Sequence, residues 1–153
     1  MMSFDVSQIV IATVVVCLLL WRVSYGTENG LFAEATGLVA VIASFAAVYY
    51  IMNIAGGMLT NNFGTVLPRI GYLVVAFIIY SIMNALGRAL QGIRDVPVLG
   101  AMNRILGGLM GVVEAVLIVL FIEFVTDIRI VAPVLNLGNQ LWGYILGYIQ
   151  KTL

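Results

Sequence analysis

Histidine is absent from the 153 residues, cysteine occurs once, and only 9% of the chain is charged. Without histidine no Ser–His nucleophile can be assembled. A lone Cys17 excludes an intrachain disulfide, and with no histidine beside it a Cys/His zinc site as well. Asp5, Asp95 and Asp127 all lie at or beyond the ends of the apolar runs, so no aspartate pair forms inside them. The glycine-rich "GGLMG" lacks the Lys and Ser/Thr of a phosphate-cradling loop. A protein that is not an enzyme, and that needs no metal and no cofactor, is the expectation. Lys and Arg number 7 against 7 Asp and Glu, with no basic cluster, so nucleic acid is not an expected partner.

What is abundant is apolar surface: 63% of residues are hydrophobic and the mean hydropathy is +1.13. Long apolar stretches recur at this scale in integral membrane proteins. Four runs stand out, at about 6–23, 31–54, 70–90 and 104–125, each near the ~20 residues that cross a bilayer core as a helix. None alternates in the manner of barrel strands, and a backbone in lipid must satisfy its own polar groups. The sequence therefore predicts an all-α membrane protein, 1–153 forming a single polytopic domain whose first partner is the lipid bilayer. The leading segment "MMSFDVSQ" lacks a positive region and no small-residue cleavage site follows Leu20, so the first run is expected to be a retained span. Cys17, within "VVVCLLLW", is expected to be a small hydrophobe in that span.

Between the runs, "SYGTENG" (24–30) is expected to be a turn, with Thr27 and Asn29 as helix caps. "GGMLTNNFGTVLPR" (56–69) and "QGIRDVPVLGAMN" (91–103) are expected to be connections. After Pro133 an amphipathic pattern covers about 134–152. Leu135, Trp142, Ile145, Leu146, Ile149 and Leu153 fall on one helical side, and Asn136, Asn139, Gly143, Gly147 and Gln150 on the other. This predicts a helix lying in the membrane interface, with a fifth span as the rival. With four spans, Arg22, Arg88, Arg94 and Arg104 share one side, against Arg69, Arg129 and Lys151 on the other. The bias places the first side in the cytoplasm and both termini outside.

Ionisable groups inside spans are costly and point to function by default. Glu114 lies ten residues past Arg104, so about 15 Å deep at the helical rise. Gly107 and Gly111 share its side of the fourth helix as a G-x-x-x-G pair, with Gly108 beside them. The glycines are expected to admit another helix, and Glu114 to face that helix or a wet cavity. Ser81 and Asn84 reach a similar depth on the third span, so Glu114, Asn84 and Ser81 form the candidate intramembrane polar site. The structural alternative is a glutamate hydrogen-bonded to Asn84 or Ser81 with no other role. Glu34 opens the second span, where the helix dipole favours a carboxylate, and a charge pair of Glu34 with Arg88 or Arg104 is the candidate brace at the cytoplasmic end. Gly37 belongs to a small-residue stripe with Ala33, Ala40, Ser44 and Ala47. Because three helices carry such stripes, a homo-oligomer is expected. Glu123 and Asp127, at the exit of the fourth run, look like a solvated edge.

The chain resembles the colicin V production (CvpA) family of small bacterial inner-membrane proteins over most of its length. The resemblance rests on "GLFAEATGL" (30–38), and more on "PVLGAMNRILGGLMGVVEAVLIV" (97–119), with its Pro, then Asn-Arg, then Gly-x-x-x-Gly. By resemblance, Glu34 matches an acidic residue of the family's second span, and Arg104, Gly107 and Gly111 match the Arg and small residues of its last span. The family often has Arg-Gly where this chain has Glu114-Ala115 and Asn29-Gly30. The resemblance implies a multi-pass protein of the bacterial inner membrane linked to toxin biosynthesis, secretion or envelope maintenance. Two functions are expected from the whole: a channel- or transporter-like protein, or a non-conducting scaffold within an envelope protein complex.

Overall fold

A computed structural model describes residues 6–91 and 100–152. Its elements are all helices: α1 (Val6–Phe63), α2 (Val66–Gln91), α3 (Gly100–Thr126) and α4 (Val131–Thr152). An all-α membrane fold is thus what the apolar runs build. Three helices, α1, α2 and α3, are long and apolar enough to cross a membrane. Arg94 and Asp95 of the third connection, together with Asp5 and Leu153, lie outside the described residues.

The first helix is two arms. Gly30 breaks it with φ 82° and ψ 178°, a backbone region that essentially only glycine enters. In a straight helix Arg22 and Glu34 would stand about 18 Å apart; here their side chains bond at 2.8 Å. Leu18 and Val41 line one cavity. The second arm (31–63) therefore runs back along the first (6–29), and each arm exceeds the ~20 residues a span needs. The chain thus has four membrane-length segments in three helices.

The bend is sharper than the expected turn at 24–30. Helix continues through that stretch: Thr27 Oγ1 donates to the Ser24 carbonyl at 2.8 Å and Asn29 Nδ2 to the Tyr25 carbonyl at 2.9 Å. Both side chains bond back within the helix and neither caps the second arm. The cap comes from α3, where Asn103 Oδ1 accepts the Leu31 N–H at 2.8 Å, one of the donors a helix start leaves unpaired.

The expected connection at 56–69 shrinks to Gly64 and Thr65. Asn62 Nδ2 bonds the Met58 carbonyl at 2.8 Å, so the asparagine is satisfied inside the helix. Gly64 ends it at φ 73°, with its N–H on the Thr60 carbonyl at 2.9 Å, a glycine stop. Pro68 falls in the first turn of α2, where a missing N–H costs no helical bond.

α1 is the hub. It packs along α3 and α2, whereas α2 and α3 touch each other little. Val48, Tyr72, Ala76, Phe121 and Val125 form the apolar core, and Phe45 extends it, 5.5 Å from the Phe121 ring and 5.1 Å from the Phe124 ring. Large apolar side chains such as Val14, Ile54 and Phe77 point outward, the arrangement a lipid surrounding favours.

α3 ends at Asp127, which takes φ 58°. Arg69 Nη1, from the start of α2, donates to the Thr126 carbonyl at 2.8 Å, and Arg69 faces Asp127 at 3.5 Å. Glu123 corrects the expected solvated edge. Its Oε2 accepts the Ile130 and Val131 N–H groups at 3.0 and 2.8 Å, so it caps α4. That helix begins at Val131, three residues earlier than the pattern suggested. Leu135, Trp142, Ile145, Leu146 and Ile149 are exposed, and Leu137 is buried. The apolar side of α4 is thus exposed, and so are Asn139, Gly143, Gly147 and Gln150 on its other side.

Candidate functional site: an arginine buried between two glutamates

Each arm of α1, and each of α2 and α3, sends one polar side chain to a common point. Arg22 (first arm) is 5% exposed, and Glu34 (second arm) and Glu114 (α3) are 0% exposed. Arg22 Nη2 meets Glu34 Oε2 at 2.8 Å and also pairs with Glu114 Oε2. Tyr80 of α2 donates its hydroxyl to Glu114 Oε1 at 3.0 Å. The Arg22 guanidinium lies 5.1 Å from the Tyr25 ring centre, within cation–π reach. Arg22 Nε and Glu34 Oε1 are buried without a hydrogen-bond partner.

Glycines make this convergence sterically feasible. A Cβ at Gly107 would stand 2.8 Å from the Gly30 carbonyl carbon and 2.9 Å from its Cα. One at Gly108 would meet Thr27 Cγ2 at 2.9 Å, and one at Gly111 the Arg22 carbonyl carbon at 2.9 Å. Bare glycine backbone thus lets α3 lie directly on the last turns of the first arm, bringing Glu114 within reach of Arg22. Gly37 completes the site on the second arm, where a Cβ would occupy the space of the Glu114 carboxylate.

A cavity of about 260 Å3 adjoins the cluster, lined by Arg22, Gly37, Tyr80, Asn84 and Arg88 among others. Tyr80, Asn84 and Arg88 recur every fourth residue, so one face of α2 forms a polar wall that ends at the exposed Arg88. A second cavity, of about 300 Å3, occupies the gap between α2 and α3. Its walls are mainly apolar, including Val41, Leu73, Phe77 and Ile118, and it shares Trp21, Arg22 and Tyr80 with the first. Neither Glu34 nor Glu114 lines either cavity.

Several expectations are corrected by this geometry. Glu34 pairs with Arg22, not with Arg88 or Arg104, both of which are exposed. Glu114 is held by Arg22 and Tyr80. Ser81 is exposed and belongs to neither cavity, whereas Asn84 does line the polar one. The physical reason is rotation: one residue along a helix turns a side chain by about 100°, so Tyr80, not Ser81, faces inward with Asn84. Gly37, Gly107, Gly108 and Gly111 find close neighbours within the protomer. Arg22 is buried, so it leaves the loop-charge tally. Arg88, Arg94 and Arg104 then balance Arg69, Arg129 and Lys151, and the charge bias that placed both termini outside disappears.

Arg22, Tyr80 and Asn103 were not candidates from sequence. Arg22 looked like a loop cation because "SYGTENG" looked like a turn. Had the helix been continued to Gly30, Arg22 would have fallen two turns inside it. Tyr80 was legible only as the first member of the four-residue spacing to Asn84 and Arg88.

Residues 11–134 match the family described as colicin V production protein. The chain belongs to that family. The match contains Arg22, Glu34, Tyr80, Asn103 and Glu114, and stops shortly after α4 begins. No curated protein and no solved structure matches the chain. Family and fold together make this a membrane protein tied to colicin V production.

Proposed function

We propose that this family member is a non-enzymatic, transporter- or channel-like protein of the bacterial inner membrane that works through the Arg22–Glu34–Glu114 cluster. The observation that carries this reading is a buried ionic site served by a polar cavity from one end of the bundle and met by an apolar cavity from the other. Ionisable side chains inside a membrane domain are rare and mark substrate and ion pathways. The cavity along Tyr80, Asn84 and Arg88 supplies an entry path, and the narrow contact between α2 and α3 supplies a seam that can open. Secretion or envelope maintenance is the physiological setting that the family suggests. The test is ion and proton flux in proteoliposomes. Wild type should conduct, and Glu114→Gln should alter the flux while the protein remains folded. Absence of flux for wild type under every pH gradient and voltage applied would overturn the reading.

One observation favours a second reading. All four membrane-length segments contribute to the cluster, so it can act as a pin that fixes their packing in a non-conducting scaffold of an envelope complex. Self-association or partner docking would then use outward apolar side chains, such as Phe77 of α2 and Trp142 of α4, since the glycines are occupied. Co-purification of a defined envelope protein that is lost on substituting Trp142 and Ile145 by polar residues would support it. An unchanged set of partners would count against it.

A further inference from the structure

The cluster holds one guanidinium against two carboxylates, and all three side chains are removed from solvent. Both carboxylates ionised would leave one uncompensated negative charge in a medium of low dielectric, which costs several kcal/mol even after relaxation. A further positive charge must therefore reside there. A metal cation needs several oxygen ligands and room for them. Both carboxylates instead close on the same guanidinium nitrogen, and neither opens to a cavity. Only a proton fits.

We propose that Glu34 and Glu114 share one exchangeable proton, and that Tyr80 relays it from the polar cavity. This deepens the transport reading and uses the same cluster. Tyr80 is the hydroxyl that joins the two environments: it lines the cavity and donates to Glu114 Oε1. In the relay the Tyr80 O–H bond breaks as its proton passes to Glu114 Oε1, forming a carboxylic acid. The phenolic oxygen takes a proton from a hydronium ion in the cavity, which becomes water. Nothing is oxidised or reduced. A cavity of about 260 Å3 has space for several waters at roughly 30 Å3 each. Access is one-sided, because beyond Arg22 and Tyr80 the path meets Val41, Leu73, Phe77 and Ile118. The charged and titratable groups facing the shared proton are Arg22 and Tyr25 from the first arm, Glu34 from the second, Tyr80 from α2 and Glu114 from α3. Arg88 stands at the cavity mouth.

The test is infrared spectroscopy of the protein in nanodiscs at neutral pH, read at the carboxylic-acid carbonyl band. Wild type should show one such band, and both Glu34→Gln and Glu114→Gln should lose it. Either substitution leaves one arginine with one carboxylate, a balanced pair that needs no proton. A wild type without the band, or a band lost in only one of the two variants, overturns the shared proton. Tyr80→Phe should keep the band and slow its shift on transfer to D2O roughly tenfold or more, equivalent to about 1.4 kcal/mol on the barrier. Should Tyr80→Phe fail to fold, Asn84→Leu, which puts an apolar side chain into the cavity beside Tyr80, should slow the same shift. An unchanged shift rate in the folded variant overturns the relay. The band together with proteoliposomes that pass no protons would overturn transport and leave the proton site standing. Loss of the band overturns the site whatever the flux.

Discussion

Gly107→Ala tests the packing that assembles the site. The new methyl would sit 2.8 and 2.9 Å from the carbonyl carbon and Cα of Gly30, where carbon atoms prefer about 3.5–4.0 Å. The Gly26 carbonyl oxygen is nearer still; all three obstacles are backbone, so none can rotate away, and α3 must retreat from the first arm by roughly 1 Å to restore ordinary contact. Overpacking of this kind costs about 1–3 kcal/mol, and backbone obstacles place it near the top of that range. Alanine returns about 1 kcal/mol through its better helix propensity. The net expectation is a loss of about 2 kcal/mol, near a 30-fold fall in the folded-to-unfolded ratio. Reversible unfolding in mixed micelles, followed by helical circular dichroism, measures it. Gly71→Ala is the control. It lies in α2 with nothing within 4 Å of the added carbon, and it should be neutral or stabilising by up to about 1 kcal/mol. If Gly107→Ala is as stable as Gly71→Ala, α3 does not lie on the first arm as described, and the route by which Glu114 reaches Arg22 is wrong.

Other substitutions probe the remaining elements. Arg22→Met leaves the buried Glu34–Glu114 pair with an unpaired negative charge and should cost about 3–5 kcal/mol, whereas adding Glu34→Gln and Glu114→Gln to it should restore most of the loss in the same unfolding assay. Gly30→Ala forces an L residue into a backbone region reserved for glycine, at about 1–3 kcal/mol, and should also push Asn103 away from the Leu31 N–H. Asn103→Ala removes that cap for about 1 kcal/mol, while Asn103→Asp keeps the acceptor and should be milder; faster amide exchange at Leu31 reports the loss. Glu123→Ala uncaps α4, and exchange at Ile130 and Val131 should quicken while exchange at Leu31 stays unchanged.

The apolar runs, the all-α class and the amphipathic α4 could be read from the sequence, and so could Glu34, Glu114 and the fourth-run glycines as positions that need a neighbour. Hydrophobic length and helical period are local properties, and lipid leaves the backbone few other choices. Glu114 was legible for a similar reason, since a charge in the middle of an apolar run is costly wherever the chain goes. What the sequence could not decide was which groups meet. Which residues surround Glu114 depends on the rotation of α2, which turns Tyr80 inward, and on the fold-back at Gly30, which brings Arg22 and Glu34 together. Arg22 looked like a loop charge because the polar letters around it suggest a turn, yet Thr27 and Asn29 bond within their own helix. Only the tertiary structure turned that arginine inward, because bare glycine backbone on α3 let two helices approach closely enough for one guanidinium to serve two carboxylates more than ten residues apart in the chain.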